Sequence, residues 1–144
     1  MLSSIRVLEI CDEAGALAGK ILGDLGADVV KVETPGGDLH GRRPPYLGGV
    51  LDPERSLAWL ALNTSKRGVT LDPEPSAGRA LLQRLLDHTD VLLDTFAPGT
   101  LEAWGLGWEV LESRYPRLVR CAITPFGQTG PHSRLRARDL VVVA

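Results

Sequence analysis

Apolar positions along this chain follow two rhythms: short runs that suit strands, and a spacing of about three to four residues that suits helices. Arg6 to Ile10 is a β-rich run with apolar Val7, Leu8 and Ile10. Ala14 to Leu25 places Leu17, Ile21 and Leu25 at four-residue spacing, with Ala18 and Leu22 beside them, which predicts a helix with one apolar stripe. Gly26 ends that helix as a left-handed cap residue would. Asp28 to Glu33, with Val29, Val30 and Val32, reads as a buried strand. Strand, helix and strand in this order form a βαβ unit, so a right-handed connection and a parallel sheet are expected.

The alternation continues after an interruption. Residues 34–55 are punctuated by Pro35-Gly36-Gly37, Pro44-Pro45, Gly48-Gly49 and Asp52-Pro53, and read as a long surface loop. Leu57 to Leu62 is a short apolar run, helix or strand, and Gly68 to Leu71 a short strand. A helix opens at Pro75-Ser76 and runs to about His88, with Leu81, Leu82, Leu85 and Leu86 on its buried side. Val91 to Asp94 is a strand, Thr100–Trp104 and Trp108–Arg114 are short helices, and Leu118 to Ile123 is a last strand. The fold class expected is α/β, a parallel sheet flanked by helices. The apolar, uncapped segment Leu140 to Ala144 calls for further chain or a partner to cover it.

Composition narrows the picture. The 144 residues fit one domain, and 44% hydrophobic with 24% charged residues is an ordinary soluble mix. Two cysteines, Cys11 and Cys121, make no disulfide framework, so an intracellular, cytoplasmic setting is expected. No signal peptide is visible at residues 1–6, and no apolar run approaches the length of a membrane span. A formal net charge of −2 argues against bulk nucleic-acid binding. The distribution is uneven: residues 1–113 hold 10 basic and 17 acidic side chains, while Arg114 to Arg138 hold six arginines and no acid. That segment reads either as a solvated basic surface or as a face for an anionic ligand or acidic partner.

Four stretches are chemical candidates. The glycine-studded Ala14 to Gly19, after the first strand, would offer a helix N-terminus to a phosphate, and Glu33 sits where a dinucleotide fold keeps its ribose-binding acid. Gly15, Gly19, Gly23 and Gly26 lack the G-x-G-x-x-G spacing, so close helix–sheet packing is the competing reading. Asn63-Thr64-Ser65-Lys66-Arg67 is either a phosphate-holding loop or an exposed turn. Phe96, before Ala97-Pro98-Gly99, is either the wall of an adenine or acyl pocket or a core aromatic under a turn. Phe126-Gly127-Gln128-Thr129-Gly130-Pro131 is a fixed loop suited to backbone contacts with substrate, with His132 facing solvent. Cys11, without a paired base, is a small buried hydrophobe. No metal-ligand spacing is present, and no metal is expected.

The order of five motifs adds a further reading. Leu25 to Glu33, Pro35 to Asp38, Asn63 to Arg67, Phe96 to Leu101 and Phe126 to Pro131 together resemble the N-terminal region of family III CoA-transferases. That group includes formyl-CoA and carnitine CoA-transferases and the 2-methylacyl-CoA racemases. The resemblance covers Ile5 to Ala144. It implies a Rossmann-like large domain of which residues 1–144 are the N-terminal, CoA-binding portion, with the second domain and the C-terminal part of the large domain absent. It implies an interlocked homodimer at full length, coenzyme A as acyl carrier, and a CoA thioester and a carboxylic acid as substrates. The nucleophilic aspartate of the transferases is expected beyond Ala144, which leaves this chain alone inactive. Carried over residue by residue, Asp12, Glu13 and Ala14 would line pantetheine and diphosphate. Asn63, Thr64, Ser65 and Lys66 would hold adenine and ribose phosphate, and Thr95 and Phe96 would touch CoA. Three positions that are often basic in relatives are neutral here, Thr34, Ala97 and Ala103, with Arg42, Arg43 or the later arginines as possible replacements. Arg138 stands where the racemases carry histidine before the position of Asp139, which speaks against a racemase. The alternatives are a non-catalytic CoA-transferase-like subunit or pairing module and, resting only on the βαβ unit and Glu33, an NAD-binding oxidoreductase domain.

Overall fold

The computed structural model describes residues 1–37 and 43–136. Five strands, β1 (Arg6–Ile10), β2 (Asp28–Glu33), β3 (Lys66–Thr70), β4 (Val91–Asp94) and β5 (Val119–Ala122), form one sheet in the order β3-β2-β1-β4-β5. Every neighbouring pair is parallel. Helices α1 (Glu13–Asp24), α2 (Leu57–Leu62), α3 (Ser76–Leu86), α4 (Thr100–Ala103) and α5 (Trp108–Arg114) lie between the strands in sequence. The strand order steps outward from β1 to β3, then returns to the other side of β1 with β4. The carboxyl ends of strands at such a reversal are where open parallel sheets form ligand clefts.

Most expected elements stand within a few residues of their sequence bounds. The run at Leu57–Leu62 is helical, with the Ser56 hydroxyl accepting from the Trp59 amide at 3.3 Å as its N-cap. The stretch after β2 holds single 3-10 turns at Leu47–Gly49 and Pro53–Arg55, and a bridge between Tyr46 and Ser56. Asp38, Arg42, Arg138, Asp139 and the apolar end 140–144 lie outside the described residues. Among the described residues no helix is long and apolar enough to cross a membrane.

Side chains alternate across the sheet and divide the core in two. Leu8, Ile10, Val32 and Leu92 pack with Leu82 and Leu86 of α3, Leu101 of α4 and Leu111 of α5. Val7, Cys11, Val29 and Leu93 form the second cluster, with Ala18 and Leu22 of α1 against it.

On α1 the sequence expectation is corrected. The buried residues of that helix are Gly15, Ala16 and Gly19. Leu17, Ile21 and Leu25, the expected apolar stripe, keep 53%, 50% and 42% of their surface exposed. The cause is the space beneath the helix. A methyl group at Gly19 would stand 1.6 Å from Glu9 Oε2, and one at Gly15 would stand 2.5 Å from Cys11 Sγ. Only the smallest residues fit there, so Leu17 and Ile21 point outward. On α3, Leu82 and Leu86 are buried as expected, but Leu81 is 47% exposed. Gly26 does take the left-handed conformation, at φ +97°, and turns the chain out of α1.

Candidate functional site

A cavity of about 330 Å³ opens at the carboxyl ends of β1, β2 and β4. Cys11 and Asp12 line it after β1, Glu33 and Thr34 at the end of β2, and Thr95 and Phe96 after β4. A second cleft, of about 530 Å³, lies at the opposite edge, among Arg6, Asp28, Asp90 and Arg117 at the amino ends of the strands. The carboxyl-edge cavity is the stronger candidate because it sits at the reversal of strand order, where loops rather than strand starts shape the walls.

The first loop is built by hydrogen bonds between its own residues. The Asp12 amide donates to Thr95 Oγ1 at 2.9 Å, tying the ends of β1 and β4 together. The Asp12 carboxylate accepts from the Ala14 amide at 3.0 Å and caps α1. Glu13 accepts from Arg43 at 2.6 and 3.2 Å. The helix N-terminus expected to face a phosphate therefore carries a carboxylate of its own, with a second one on the next residue. Phe96 stands between the core and the cavity. It meets the Trp104 ring edge-on at 4.9 Å and packs on the core, yet it also lines the cavity. Thr34 and Ala97 line the cavity as neutral residues.

Asn63, Thr64 and Ser65 stand apart from these groups. Lys66 is in register with Val29 near the start of β2, so the loop before it lies at the amino edge. Ser65 Oγ bonds Asp24 Oδ1 at 3.1 Å, at the far end of α1 from Asp12. Thr64 is exposed. The residues of this crossover that do reach the carboxyl edge follow Thr70, which is in register with Glu33.

Lys66 is not the exposed cation its neighbours predict. Its side chain is 1% exposed and runs beneath α1. The ammonium donates to Glu9 Oε1 at 3.0 Å, to the Ala16 carbonyl at 2.8 Å and to Asn63 Oδ1 at 3.1 Å. Glu9 Oε2 completes the ion pair at 2.8 Å. All three N–H bonds of Lys66 are thus committed inside the fold. Burial pulls its pKa below the usual lysine value, and the hydrogen bond and charge of Glu9 oppose that shift. Lys31 donates to Glu9 Oε1 at 3.3 Å and to the Cys11 carbonyl at 3.0 Å, and also reaches the cavity. Arg67 is exposed and pairs with Asp28 at 2.7 Å. Burial, reinforced by the Glu9 charge, pushes the Cys11 thiol up to about 12, so it is a neutral packing group.

The late arginines among the described residues do not form one face. Arg114 and Arg117 line the amino-edge cleft, whereas Arg120 and Arg134 line another at the carboxyl edge. His132 is exposed, its ring 6.2 Å from Phe126. Among the described residues no group of three or more His, Cys, Asp and Glu side chains could hold a metal ion.

Sequence reasoning missed the buried charges. Glu9 and Asp94 are fully buried, Lys31 is 2% exposed, and Arg120 pairs with Asp94 at 2.8 Å. A signal was present: Glu9 and Lys31 are single charges of opposite sign inside two apolar strands, and β1 and β2 align them directly. A charge within a strand covered on both faces needs a partner.

Comparison with known proteins agrees with this fold. The description CoA-transferase family III matches residues 2–144, and the chain belongs to that family. It is 44% identical over 135 residues to succinyl-CoA–D-citramalate CoA-transferase of Chloroflexus aurantiacus, covering 91% of this chain and 32% of that protein. It is 34% identical over 146 residues to human succinyl-CoA:glutarate CoA-transferase, covering 99% of this chain and 32% of that protein. A CaiB/BaiF family protein from Brucella suis matches in structure with a TM-score of 0.86 and 36% identity, covering 97% of this chain and 37% of that one. The chain thus spans about a third of the length of the curated relatives it matches.

Proposed function

We propose that this chain is the CoA-binding N-terminal portion of an acyl-CoA:carboxylate CoA-transferase, and that CoA lies in the carboxyl-edge cavity. The observation that carries this reading is the convergence of Asp12, Thr95 and Phe96 at the reversal of strand order, in a chain of this family. Phe96 offers an apolar wall and the bond from Asp12 to Thr95 holds that wall in place. Asp12, Glu13 and Ala14 meet the uncharged pantetheine arm, because two carboxylates there repel a diphosphate. Lys31 supplies positive charge at the cavity floor. Asn63, Thr64, Ser65 and Lys66 act as support: Lys66 and Asn63 anchor α1 to the sheet. The nucleophile of the transfer is an aspartate expected C-terminal to residue 144, and the substrates are a CoA thioester and a carboxylic acid. The full-length protein is a cytoplasmic homodimer in this reading.

Calorimetric titration of the chain with CoA tests it. Saturable binding by folded protein is the expected result, and its absence would sink the proposal. A CoA-transferase-like pairing subunit is the second reading. The neutral Thr34 and Ala97 in the cavity favour it, and folded protein without CoA affinity would move it ahead.

A further inference from the structure

The segment after β4 is a wall with two sides. Phe96 and Ala97 face the cavity already described, while Pro98 and Gly99 face another of about 560 Å³. The far side of this second cleft is Trp108, at the start of α5, together with the loop after β5, which contributes Gln128, Thr129 and Arg134. Its floor is Arg120.

Arg120 is an unusual floor. Its side chain is only 7% exposed, and it is held by the fully buried Asp94 through Nε at 2.8 Å and Nη2 at 3.4 Å. Two of its five N–H groups are used by that pair. Nη1 makes no hydrogen bond among the described residues. A guanidinium fixed by a buried carboxylate on one edge, with donors left over on another, is pre-organised for a second oxyanion, carboxylate or phosphate. Arg134 adds an exposed guanidinium with no ion pair or hydrogen bond among the described residues. Among the described residues Glu102 is the one acid that lines the cleft. Trp108 keeps 54% of its surface exposed and gives the cleft an apolar side.

We propose that this second cleft is an oxyanion subsite, with Arg120 and Arg134 as its donors and Asp94 as the residue that positions Arg120. The inference rests on the CoA reading above, because only a long ligand such as an acyl-CoA would occupy both sides of the Phe96–Gly99 wall. Besides its central diphosphate, such a ligand carries an oxyanion towards each end: the 3′-phosphate of CoA, and the free carboxylate of a dicarboxylic acyl group.

Calorimetric titration of the chain, Arg134→Ala and Arg120→Lys with CoA, dephospho-CoA, acetyl-CoA and succinyl-CoA tests the inference and separates the two sources. Arg134 is exposed and makes no ion pair or side-chain hydrogen bond among the described residues, so Arg134→Ala keeps the melting temperature and serves as the reference should Arg120→Lys not fold. If the phosphate is the occupant, Arg134→Ala weakens CoA about tenfold or more and leaves dephospho-CoA unchanged. If the carboxylate is the occupant, it weakens succinyl-CoA by a similar factor and leaves acetyl-CoA unchanged. Glu102→Gln tightens the same ligand in either case. Binding of all four ligands by Arg134→Ala as by the unaltered chain would overturn the subsite while leaving the CoA reading intact. Binding of none by the unaltered chain would remove both.

Discussion

The two faces of the sheet are covered in different ways. On one face α3, α4 and α5 bring leucines onto leucines: Leu82, Leu86, Leu101 and Leu111 meet Leu8 and Leu92. On the other, α1 brings Gly15, Ala16 and Gly19 onto a surface from which Glu9, Lys31 and Lys66 rise. The first face gains from area removed from water. The second holds two ammonium groups on one carboxylate, so its helix is located by charge and hydrogen bonds as well as by the apolar contacts of Ala18 and Leu22. The helix that borders the proposed CoA cavity is thus fixed by the more geometrically demanding of the two arrangements.

Breaking the charged face has the largest expected effect. Glu9→Ala leaves two buried ammonium groups without a counter-charge and should cost about 3–5 kcal/mol in chemical denaturation. Leu82→Ala, on the apolar face, should cost about 2–5 kcal/mol, with no dependence on salt. Gly19→Ala should cost about 1–3 kcal/mol, because the added methyl meets Glu9 Oε2 and the cluster must shift. If Gly19→Ala were neutral, the fit of α1 over Glu9 would be wrong. Leu17→Gln, on the outer side of the same helix, should change stability by no more than about 0.5 kcal/mol.

Thiol chemistry sharpens the contrast at little structural cost. Cys11 lies on the charged face with its pKa raised to about 12, whereas Cys121 is exposed. At pH 8 the buried Cys11 is held in its protonated, unreactive form. Alkylation of native protein, followed by mass spectrometry, should yield one adduct, at Cys121, with the second appearing only after unfolding. The raised pKa also fixes the sign of a pH effect. The Cys11 contribution to stability is complete below the unfolded value of 9.0 and is lost as pH rises toward about 12.

The sheet was legible in the sequence because apolar runs such as Val29-Val30 and Val91-Leu92-Leu93 mark buried parallel strands whatever lies above them. The orientation of α1 was not. Leu17, Ile21 and Leu25 form a regular stripe, and periodicity alone assigns such a stripe to the core. What turned the helix was Glu9, a residue of a different element whose carboxylate fills the space above the sheet. The site divides in the same manner. Asp12, Thr95 and Phe96 follow strands at the carboxyl edge, where topology brings loops together. Lys66 reads as a ligand-holding or exposed cation by its neighbours, and only the register of β3 against β2 reveals that it points under α1 toward Glu9.

Amide hydrogen exchange of the chain with and without CoA tests the central claim, that the ligand lies at the carboxyl edge between β1, β2 and β4. The account predicts slowed exchange at Asp12, Thr95, Phe96 and Ala97, with Thr64 and Ser65 unchanged. Slowed exchange at Thr64 and Ser65 with none at Thr95 and Phe96 would contradict it, and would move the ligand to the opposite edge of the sheet.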